Sequence, residues 1–537
     1  MERRKNQLVP PYTAWKQLVL VPLLLLAACS STDVVPTATP DPTATVAPTP
    51  ISIPTPAPIP TPAPIPTPEP IPTATAIPTP APIPTPAPIP TLEPIPTPEP
   101  IPTATAISTP SPAPTPTAIP IIQLAPAPTF VASTTFDSFS EEIQRAFTTS
   151  VHDEFTAAYQ KAGVSAAVFD GRKLWTQASG IASDTTQMTP TTPMIIRSTS
   201  KTFLSAMVLT QIEDGLYKLT DTVETLLSDH PDYALIDIDY VNTDVTVEQL
   251  LTMSSGIFDW STPEDLSKRM EIMLAPTWKP ADNLSKISLP FVEPGSYHYS
   301  YANSILLGLI TAHYGGKNVN ALYQETFFKP LGLSGGLLPE VVEPPDTASA
   351  YANLEEYGAG SGFGDLTGGQ MAIFKGKDPR ISWAGAGIVS TPENITRWGY
   401  ELFSTSGSAL SSTARAQLIN SLTVDTGQKS PSGIGVHTYG YYIGMADVSL
   451  SDGTRIKTYT HPGGGGGRTS WLYYAPSLDV SISLLANSQL LHDPGTCGYQ
   501  GMNYMSIGEC MAGGIFSTLL GMPVKQTVTG PVGKSGY

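Results

Sequence analysis

A serine and a lysine three residues apart form the first pair in this chain that could do chemistry. A Ser-Thr-Ser-Lys run begins at Ser198 and ends at Lys201, inside a segment whose pattern predicts a helix over 198–214. Positions i and i+3 share a helix face, so the Lys201 amine can reach the Ser198 hydroxyl. A desolvated lysine can lose its proton and act as a base. The pair therefore indicates nucleophilic acyl transfer, and a plain polar helix start is the alternative.

A tyrosine-rich segment and a glycine-rich segment follow further along the chain. The first reads Pro-Gly-Ser-Tyr-His-Tyr-Ser-Tyr-Ala-Asn over 294–303, and Leu-Leu-Gly begins at Leu306. The second runs over 461–470 and contains five consecutive glycines. A glycine-rich strand edge admits a substrate backbone and exposes N–H groups, whereas the alternative is a flexible loop. A phosphate loop is excluded, because Pro462 and Arg468 stand where its Gly and Lys belong.

The elements that must position these residues come from both ends of the chain. Apolar residues at four-residue spacing predict a helix over 141–162, and a hairpin follows over 164–169 and 173–178. The middle, about 200–380, is mostly helical and loop-like. After a helix that begins at Thr391-Pro392, the predicted elements are strands at 439–445, 455–460, 471–475 and 480–486 and a last helix at 509–520. This order predicts an α+β fold with a helix-flanked antiparallel sheet and an inserted, mainly helical region.

The order of the motifs resembles the penicillin-recognising serine hydrolases. The closest branch comprises class C β-lactamases, serine D-alanyl-D-alanine carboxypeptidases and related esterases. Ser-x-x-Lys comes first, then a tyrosine motif before Leu-Leu-Gly, and then His-x-Gly-Gly before a terminal strand pair. Segments 246–256 and 384–393 match two further family segments, so the resemblance covers nearly all of 139–522. It implies a β-lactamase/transpeptidase-like fold.

The resemblance also implies a role for single residues. Ser198 attacks a carbonyl and becomes acylated, Lys201 accepts its proton, and the motif tyrosine relays protons to the leaving group. Backbone N–H groups of Ser198 and Gly464 hold the oxyanion, while Gly463 belongs to the substrate-binding strand. Water then releases the acyl group. The family needs no metal and no other cofactor.

The second motif departs from the family pattern Tyr-x-Asn and can be aligned in two ways. Tyr301-Ala302-Asn303 matches the residue types of the family pattern, and Asn303 would then be a substrate-binding residue. This alignment brings the tyrosine two residues closer to Leu-Leu-Gly than in the family. Tyr299-Ser300-Tyr301 keeps the family spacing and puts tyrosine where asparagine belongs. Removing a loop residue costs less than removing two from a packed helix start. We therefore favour Tyr299 as the catalytic tyrosine, with Tyr301 as the alternative.

The third motif departs as well, because the usual Lys-Thr-Gly reads His461-Pro462-Gly463. His461 at this position is familiar in carboxypeptidases and esterases of the family. A neutral imidazole attracts a substrate carboxylate less than lysine does, and Pro462 removes a hydroxyl and an N–H. We expect the Arg468 guanidinium to compensate by binding a carboxylate.

The residues after the Ser-Ser-Gly turn are a lesser candidate. Phe258, Asp259 and Trp260 either line the pocket or form a surface loop with a packed tryptophan.

The first 130 residues carry signals of export rather than of a folded domain. A positive start and a short apolar run predict a signal peptide over 1–28, whose end resembles the lipobox of bacterial lipoproteins. In that family the cysteine, here Cys29, carries the lipid and anchors the chain to the membrane; ordinary cleavage is the alternative. Of the 57 prolines, 34 fall within 31–130, which predicts a polyproline-like stalk over 29–130. The folded domain is predicted over 131–537.

The net charge and the cysteines indicate which partners and ligands to expect. The net charge of −17 argues against nucleic acid, because phosphate binding needs clustered Lys and Arg. Cys497 and Cys510 are expected to form a disulfide outside the cytoplasm, with two free thiols as the alternative. No His or Cys pair flanks them at zinc-ligand spacing.

These observations predict a lipid-anchored serine hydrolase outside the cytoplasm, acting as a monomer. The expected substrate is a D-alanyl-D-alanine-type cell-wall peptide. A carboxylic-ester hydrolase and a weak β-lactamase are the alternative enzymes. A non-catalytic wall-binding module is the alternative of another class.

Overall fold

The structure is a computed structural model that describes part of the chain. The described residues are 124–158, 162–261, 266–341, 345–354, 363–368, 378–427, 436–489, 497 and 506–523. The predicted leader, Cys29 and nearly all of the predicted stalk lie outside them. Among the helices in these ranges, none is long and apolar enough to cross a membrane.

One large antiparallel sheet dominates the described residues. The strands, in chain order, are β1 Gly163–Phe169, β2 Leu174–Ser183, β3 Thr186–Gln187, β4 Met194–Ile195, β5 Gly336–Leu337, β6 Tyr351–Asn353, β7 Phe363–Asp365, β8 Ile388–Ser390, β9 Val424–Asp425, β10 Val436–Tyr439, β11 Gly444–Ser449, β12 Arg455–Thr460, β13 Gly463–Gly465, β14 Arg468–Ala475 and β15 Val480–Ala486. The large sheet has the order β3-β2-β1-β15-β14-β12-β11-β10-β9, with β13 paired to β14. Two smaller sheets have the orders β4-β8-β5 and β6-β7.

Helices cover both faces of the large sheet. They are α1 Glu141–Ala158, α2 Lys201–Glu213, α3 Val223–Leu227, α4 Val247–Leu251, α5 Leu266–Leu274, α6 Tyr301–Gly315, α7 Val319–Tyr323, α8 Pro392–Phe403, α9 Ser412–Asn420 and α10 Ile507–Leu519. Short 3-10 turns add to them at Arg197–Ser200 and Trp383–Gly385. The α+β fold and the inserted helical region are as predicted.

The central strands are buried on both faces, because successive side chains point to opposite sides. On β14, Trp471 and Tyr473 join the apolar cluster of α1 and α10. Leu472 and Tyr474 join a second, larger cluster, which includes apolar residues of α2, α6 and α8. The sheet therefore separates two cores, and the apolar residues that flank Ser198 belong to the larger one.

One local prediction was wrong. The segment predicted as a strand over 439–445 contains the end of β10, a tight turn and the start of β11, and Tyr442 has a φ of 53° in that turn. The turn is held by tertiary contacts that no local pattern records. The predicted helix over 198–214 is confirmed, and its first turn is a 3-10 turn that becomes an α-helix at Lys201.

Residues 124–130, which composition assigned to the stalk, contact the folded part. The Ala125 N–H donates to the Glu340 carbonyl oxygen over 3.1 Å. Phe130 packs against a small apolar cluster formed by Ile195, Leu338, Val341 and Val389. The folded part therefore begins before the predicted boundary at Val131.

Candidate active site

Ser198, the predicted nucleophile, lies in the 3-10 turn that joins β4 to α2. Ser198 Oγ is 3.2 Å from Lys201 Nζ, as the three-residue spacing predicts. Arg197, immediately before the serine, has a φ of 51°, a left-handed conformation that is costly for a residue with a Cβ. Such strain concentrates at functional sites, where the surrounding structure imposes it.

Lys201 is fully buried at the start of α2. Its Nζ lies 2.9 Å from the Gly385 carbonyl oxygen and 4.9 and 4.3 Å from the ring centres of Tyr299 and Tyr301. Burial lowers the pKa of Lys201 well below its ordinary value, and the charge of Asp259 opposes this only in part. Once deprotonated, the amine would still donate to Gly385 and would keep a lone pair that can accept the proton of Ser198.

Both tyrosines of the second motif place their hydroxyl groups near Ser198 Oγ. The Tyr299 hydroxyl lies 2.7 Å from Ser198 Oγ, and the Tyr301 hydroxyl lies 3.4 Å from it. Burial raises the pKa of both phenols, so each stays protonated and can donate. Ser300 caps α6 by accepting from the Ala302 N–H, which makes Tyr301 the first helical residue and leaves Tyr299 in the preceding loop. The shorter distance favours Tyr299 as the proton relay.

The structure contradicts the predicted substrate-binding role of Asn303. Its Oδ1 accepts from Ser255 Oγ at 2.5 Å, and its Nδ2 contacts Met253 Sδ at 3.1 Å, in the core. Two residues along an α-helix rotate a side chain by about 200°, so Asn303 points away from the side that Tyr301 presents to Ser198. The asparagine secures the turn after α4 instead.

The glycine-rich third motif lies directly beside Ser198. A Cβ on Gly463 would lie 2.7 Å from the Ser198 backbone nitrogen and 2.5 Å from the Ile196 carbonyl oxygen, so only glycine fits. Gly464 follows on β13, paired in register with Thr469 of β14. The assignment of the Ser198 and Gly464 N–H groups as oxyanion donors remains a prediction.

His461 is buried, and both of its ring nitrogens have partners. Nδ1 lies 2.8 Å from the Pro462 carbonyl oxygen, which can only accept, so Nδ1 carries the proton. Nε2, 2.9 Å from the Tyr439 hydroxyl, therefore accepts from it. Burial, together with the nearby Lys201, lowers the pKa of His461 to about 3. The imidazole is neutral and cannot supply the positive charge that the family's lysine supplies.

Arg468 is also buried, and its expected role in binding a substrate carboxylate is not supported. Its Nη1 lies 3.4 Å from Asp378 Oδ2 and 3.3 Å from the Gly466 carbonyl oxygen. The sequence could not show this, because Asp378 lies 90 residues away.

Sequence reasoning missed or left open three other parts of the site. Gly385 lies in a segment that matches the family, but the sequence does not identify its carbonyl oxygen as the acceptor for Lys201. Tyr439, which donates to His461 Nε2, could not be identified from the sequence. Asp259 is partly buried and its charge acts on Lys201; desolvation raises its pKa although the Ser261 N–H and hydroxyl donate to it. Trp260 is buried, in agreement with the packed-tryptophan alternative.

Cys497 and Cys510 form a disulfide, as predicted. Among the described residues, one group of three potential metal ligands is found, and it consists of these two cysteines with Glu154. Sulfurs bonded to each other are not the thiolates that bind zinc.

Comparison with known proteins agrees with this geometry. A family model described as Beta-lactamase matches residues 148–500. The chain therefore belongs to the beta-lactamase family, within the penicillin-recognising serine hydrolases.

Several solved structures share the fold. A D-stereospecific amidohydrolase from a Streptomyces species is 21% identical, covering 65% of this chain and 96% of its own, with a TM-score of 0.52. A D-amino acid amidase from Ochrobactrum anthropi SV3 is 19% identical, covering 71% and 99%, with a TM-score of 0.55. A penicillin binding protein from Bacillus halodurans is 18% identical, covering 70% and 99%, with a TM-score of 0.51. At these identities the likeness concerns the fold alone.

Proposed function

We propose that the protein hydrolyses an acyl bond through a covalent intermediate on Ser198. The observation that carries this proposal is the position of Ser198 Oγ, 3.2 Å from Lys201 Nζ and 2.7 Å from the Tyr299 hydroxyl. A base and a proton donor thus flank one hydroxyl. Such an arrangement is that of an activated nucleophile.

The proposed reaction has two halves. As Ser198 attacks the carbonyl carbon, its proton passes to Lys201 and the carbonyl oxygen becomes an oxyanion between two N–H groups. Each fixed donor of this kind contributes about 3–4 kcal/mol to transition-state stabilisation. Tyr299 then gives its proton to the leaving group and regains one from Lys201, the acyl bond breaks, and the acyl group remains on Ser198. Water attacks the ester and restores the serine.

The proposed substrate is a peptide of the D-alanyl-D-alanine type from the cell wall. The family includes enzymes that cleave such peptides, and proteins of similar fold include a penicillin binding protein and a D-amino acid amidase. A lipid at Cys29 and a proline-rich stalk would hold the enzyme outside the cytoplasm, near that substrate. Cell wall and membrane are thus its proposed partners.

A second candidate substrate is a D-amino acid amide or ester. The neutral state of His461 favours it, because a substrate with a free C-terminal carboxylate finds no charged partner at that position. A neutral leaving group avoids the cost of desolvating an unpaired carboxylate.

A comparison of matched substrates separates the candidates. An acyl-D-Ala-D-Ala peptide, the acyl-D-alanine amide, the acyl-D-alanine methyl ester and the L-alanine amide would be supplied to wild type and to Ser198→Ala. The carboxypeptidase proposal predicts the highest kcat/KM for the dipeptide. A preference of more than tenfold for the amide or ester would select the second candidate. Equal turnover by Ser198→Ala, or no turnover of any substrate, would contradict both.

A further inference from the structure

Two arginines and one aspartate meet at the tip of the β13–β14 hairpin. Arg197 Nη2 lies 2.7 Å from Asp378 Oδ2, and Arg468 Nη1 lies 3.4 Å from the same oxygen. Both guanidinium groups also donate to the Gly466 carbonyl oxygen, each over 3.3 Å. The two arginine side chains are less than one-tenth exposed, and Asp378 is one-fifth exposed.

This group connects the two segments that carry the predicted oxyanion donors. Arg197 immediately precedes Ser198, and its left-handed backbone directs its side chain to the hairpin. Gly466 lies in the turn that ends β13, two residues after Gly464. A Cβ at Gly466 would lie 1.8 Å from Arg197 Nη2, so the guanidinium lies directly against the turn.

The geometry does not resemble a binding site for a substrate anion. The Asp378 carboxylate is already shared by both guanidinium groups, and their remaining contacts include the backbone of the hairpin. An ionic group of this kind in a mostly buried place is strongly destabilised when one partner is removed, because the remaining charges lose their compensation. Here, removal of Asp378 would leave two like charges side by side.

We propose that Arg197, Asp378 and Arg468 form an ionic clamp that holds the β13–β14 hairpin against the Ser198 turn and so sets the spacing of the two oxyanion donors. The inference rests on the proposed acyl-transfer function and assigns the three side chains as positioning residues. Fixed donors stabilise a transition state only when they are held close to the productive geometry, within about 0.5 Å. A displacement of about 1 Å can lower a rate about a hundredfold.

The test compares Asp378→Asn with a matched variant at a distant clamp. Asn preserves the shape of the side chain and removes its charge. Arg397 donates to the Gly332 and Leu331 carbonyl oxygens and pairs with Glu393, so Glu393→Gln weakens a similar buried contact outside the site. Asp378→Glu keeps the charge and serves as the rescue variant.

Two probes of the oxyanion site would be applied to the full chain. A fluorophosphonate reacts when Ser198 Oγ forms the P–O bond, fluoride leaves and the serine proton passes to Lys201. An arylboronic acid adds reversibly to the same oxygen and places a boronate oxygen between the oxyanion donors. Neither probe depends on the identity of the natural substrate.

Asp378→Asn is expected to lower the fluorophosphonate labelling rate and the boronate affinity together, each about 10- to 100-fold. Asp378→Glu is expected to recover most of both, and Glu393→Gln is expected to change neither by more than twofold. Labelling of Asp378→Asn at the wild-type rate, or an equal loss in Glu393→Gln, would overturn the clamp. Failure of the wild type to react would instead overturn the proposed function on which the clamp rests.

Discussion

At the scale of single residues, two tyrosine hydroxyls lie near Ser198 Oγ, the proposed nucleophile. Tyr299 OH is 2.7 Å from Ser198 Oγ, a normal hydroxyl hydrogen bond, whereas Tyr301 OH at 3.4 Å is beyond that range. The Tyr301 ring lies nearer to Lys201 Nζ than the Tyr299 ring does. These contacts favour Tyr299 as the proposed proton relay and Tyr301 as an aromatic side chain that packs beside Lys201.

Removal of the two hydroxyl groups tests this division. We expect Tyr299→Phe to lower the rate of acylation about 10²- to 10³-fold, because general acid–base groups contribute at that level. Tyr301→Phe retains the ring over Lys201 and should lower it less than tenfold. Single-turnover acylation measures both variants, and the opposite order would assign the relay to Tyr301.

The residues that could be predicted from sequence are those whose relation is local. Ser198 and Lys201 lie three positions apart, so one helical turn already brings them together. The choice between Tyr299 and Tyr301 depends on where α6 begins, and that depends on the Ser300 cap. The Arg468 guanidinium contacts Asp378, which is distant in sequence. Local sequence patterns cannot reveal such a contact.

At the scale of elements, a buried carboxyl group connects the inserted region to the base. Glu340 Oε1 accepts from Trp383 Nε1 at 2.8 Å, and Oε2 accepts from the Asn320 N–H at 2.7 Å. Trp383 has a φ of 37° in the turn that ends at Gly385, whose carbonyl oxygen contacts Lys201. Burial raises the pKa of Glu340 to about 7, with the neighbouring N–H groups opposing the shift.

This shift predicts a pH dependence of stability that belongs to Glu340. Because the folded state binds its proton more tightly than the unfolded state, the free energy of unfolding should fall as pH rises from about 4.5 to about 7. The loss should amount to about 3 kcal/mol at pH above 7. Urea unfolding of wild type and Glu340→Gln across pH 4.5–8 measures this loss. The difference in the free energy of unfolding between the two proteins should change with pH. A difference that stays constant with pH would contradict it.

The segment before Val131 supports the small sheet that leads into the Ser198 turn. Phe130 packs against Ile195 of β4 and Val389 of β8, whereas Val131 is 81% exposed. Phe130→Ala in the full chain should lower the free energy of unfolding by about 1–3 kcal/mol, and Val131→Ala by less than about 0.5 kcal/mol. Chemical unfolding compares the two neighbours. Equal effects would mean that the segment does not stabilise the fold.

Strands and helices could be predicted where apolar residues recur with a period of two or of 3.6 residues. Strands β12 and β15 have their predicted bounds, and the hairpin of β1 and β2 forms across the predicted turn. The turn between β10 and β11 was missed because its apolar Tyr-rich residues read as a continuous strand. Their burial in the core, rather than a strand pattern, explains that composition.

At the scale of the whole molecule, composition predicts a protein held at a distance from a membrane. The signal peptide, the lipid at Cys29 and the stalk remain predictions. If they are correct, Cys29→Ser should move the protein from the membrane fraction to the soluble fraction of the producing bacterium. Fractionation with immunoblotting measures this, and wild-type protein found in the soluble fraction would contradict the anchor.

The central claim is that Ser198 forms a covalent acyl-enzyme, and intact mass spectrometry tests it most directly. Wild type and Ser198→Ala would be mixed with a penicillin while free drug is followed in the same tube. We predict a lasting adduct of one drug mass on the wild type and none on the variant. Loss of drug by the wild type alone, without an adduct, would indicate fast deacylation and a β-lactamase. An adduct of equal yield on Ser198→Ala would contradict the claim. Neither adduct nor drug loss would overturn penicillin recognition and leave the amide or ester candidate to be tested for its acyl-enzyme.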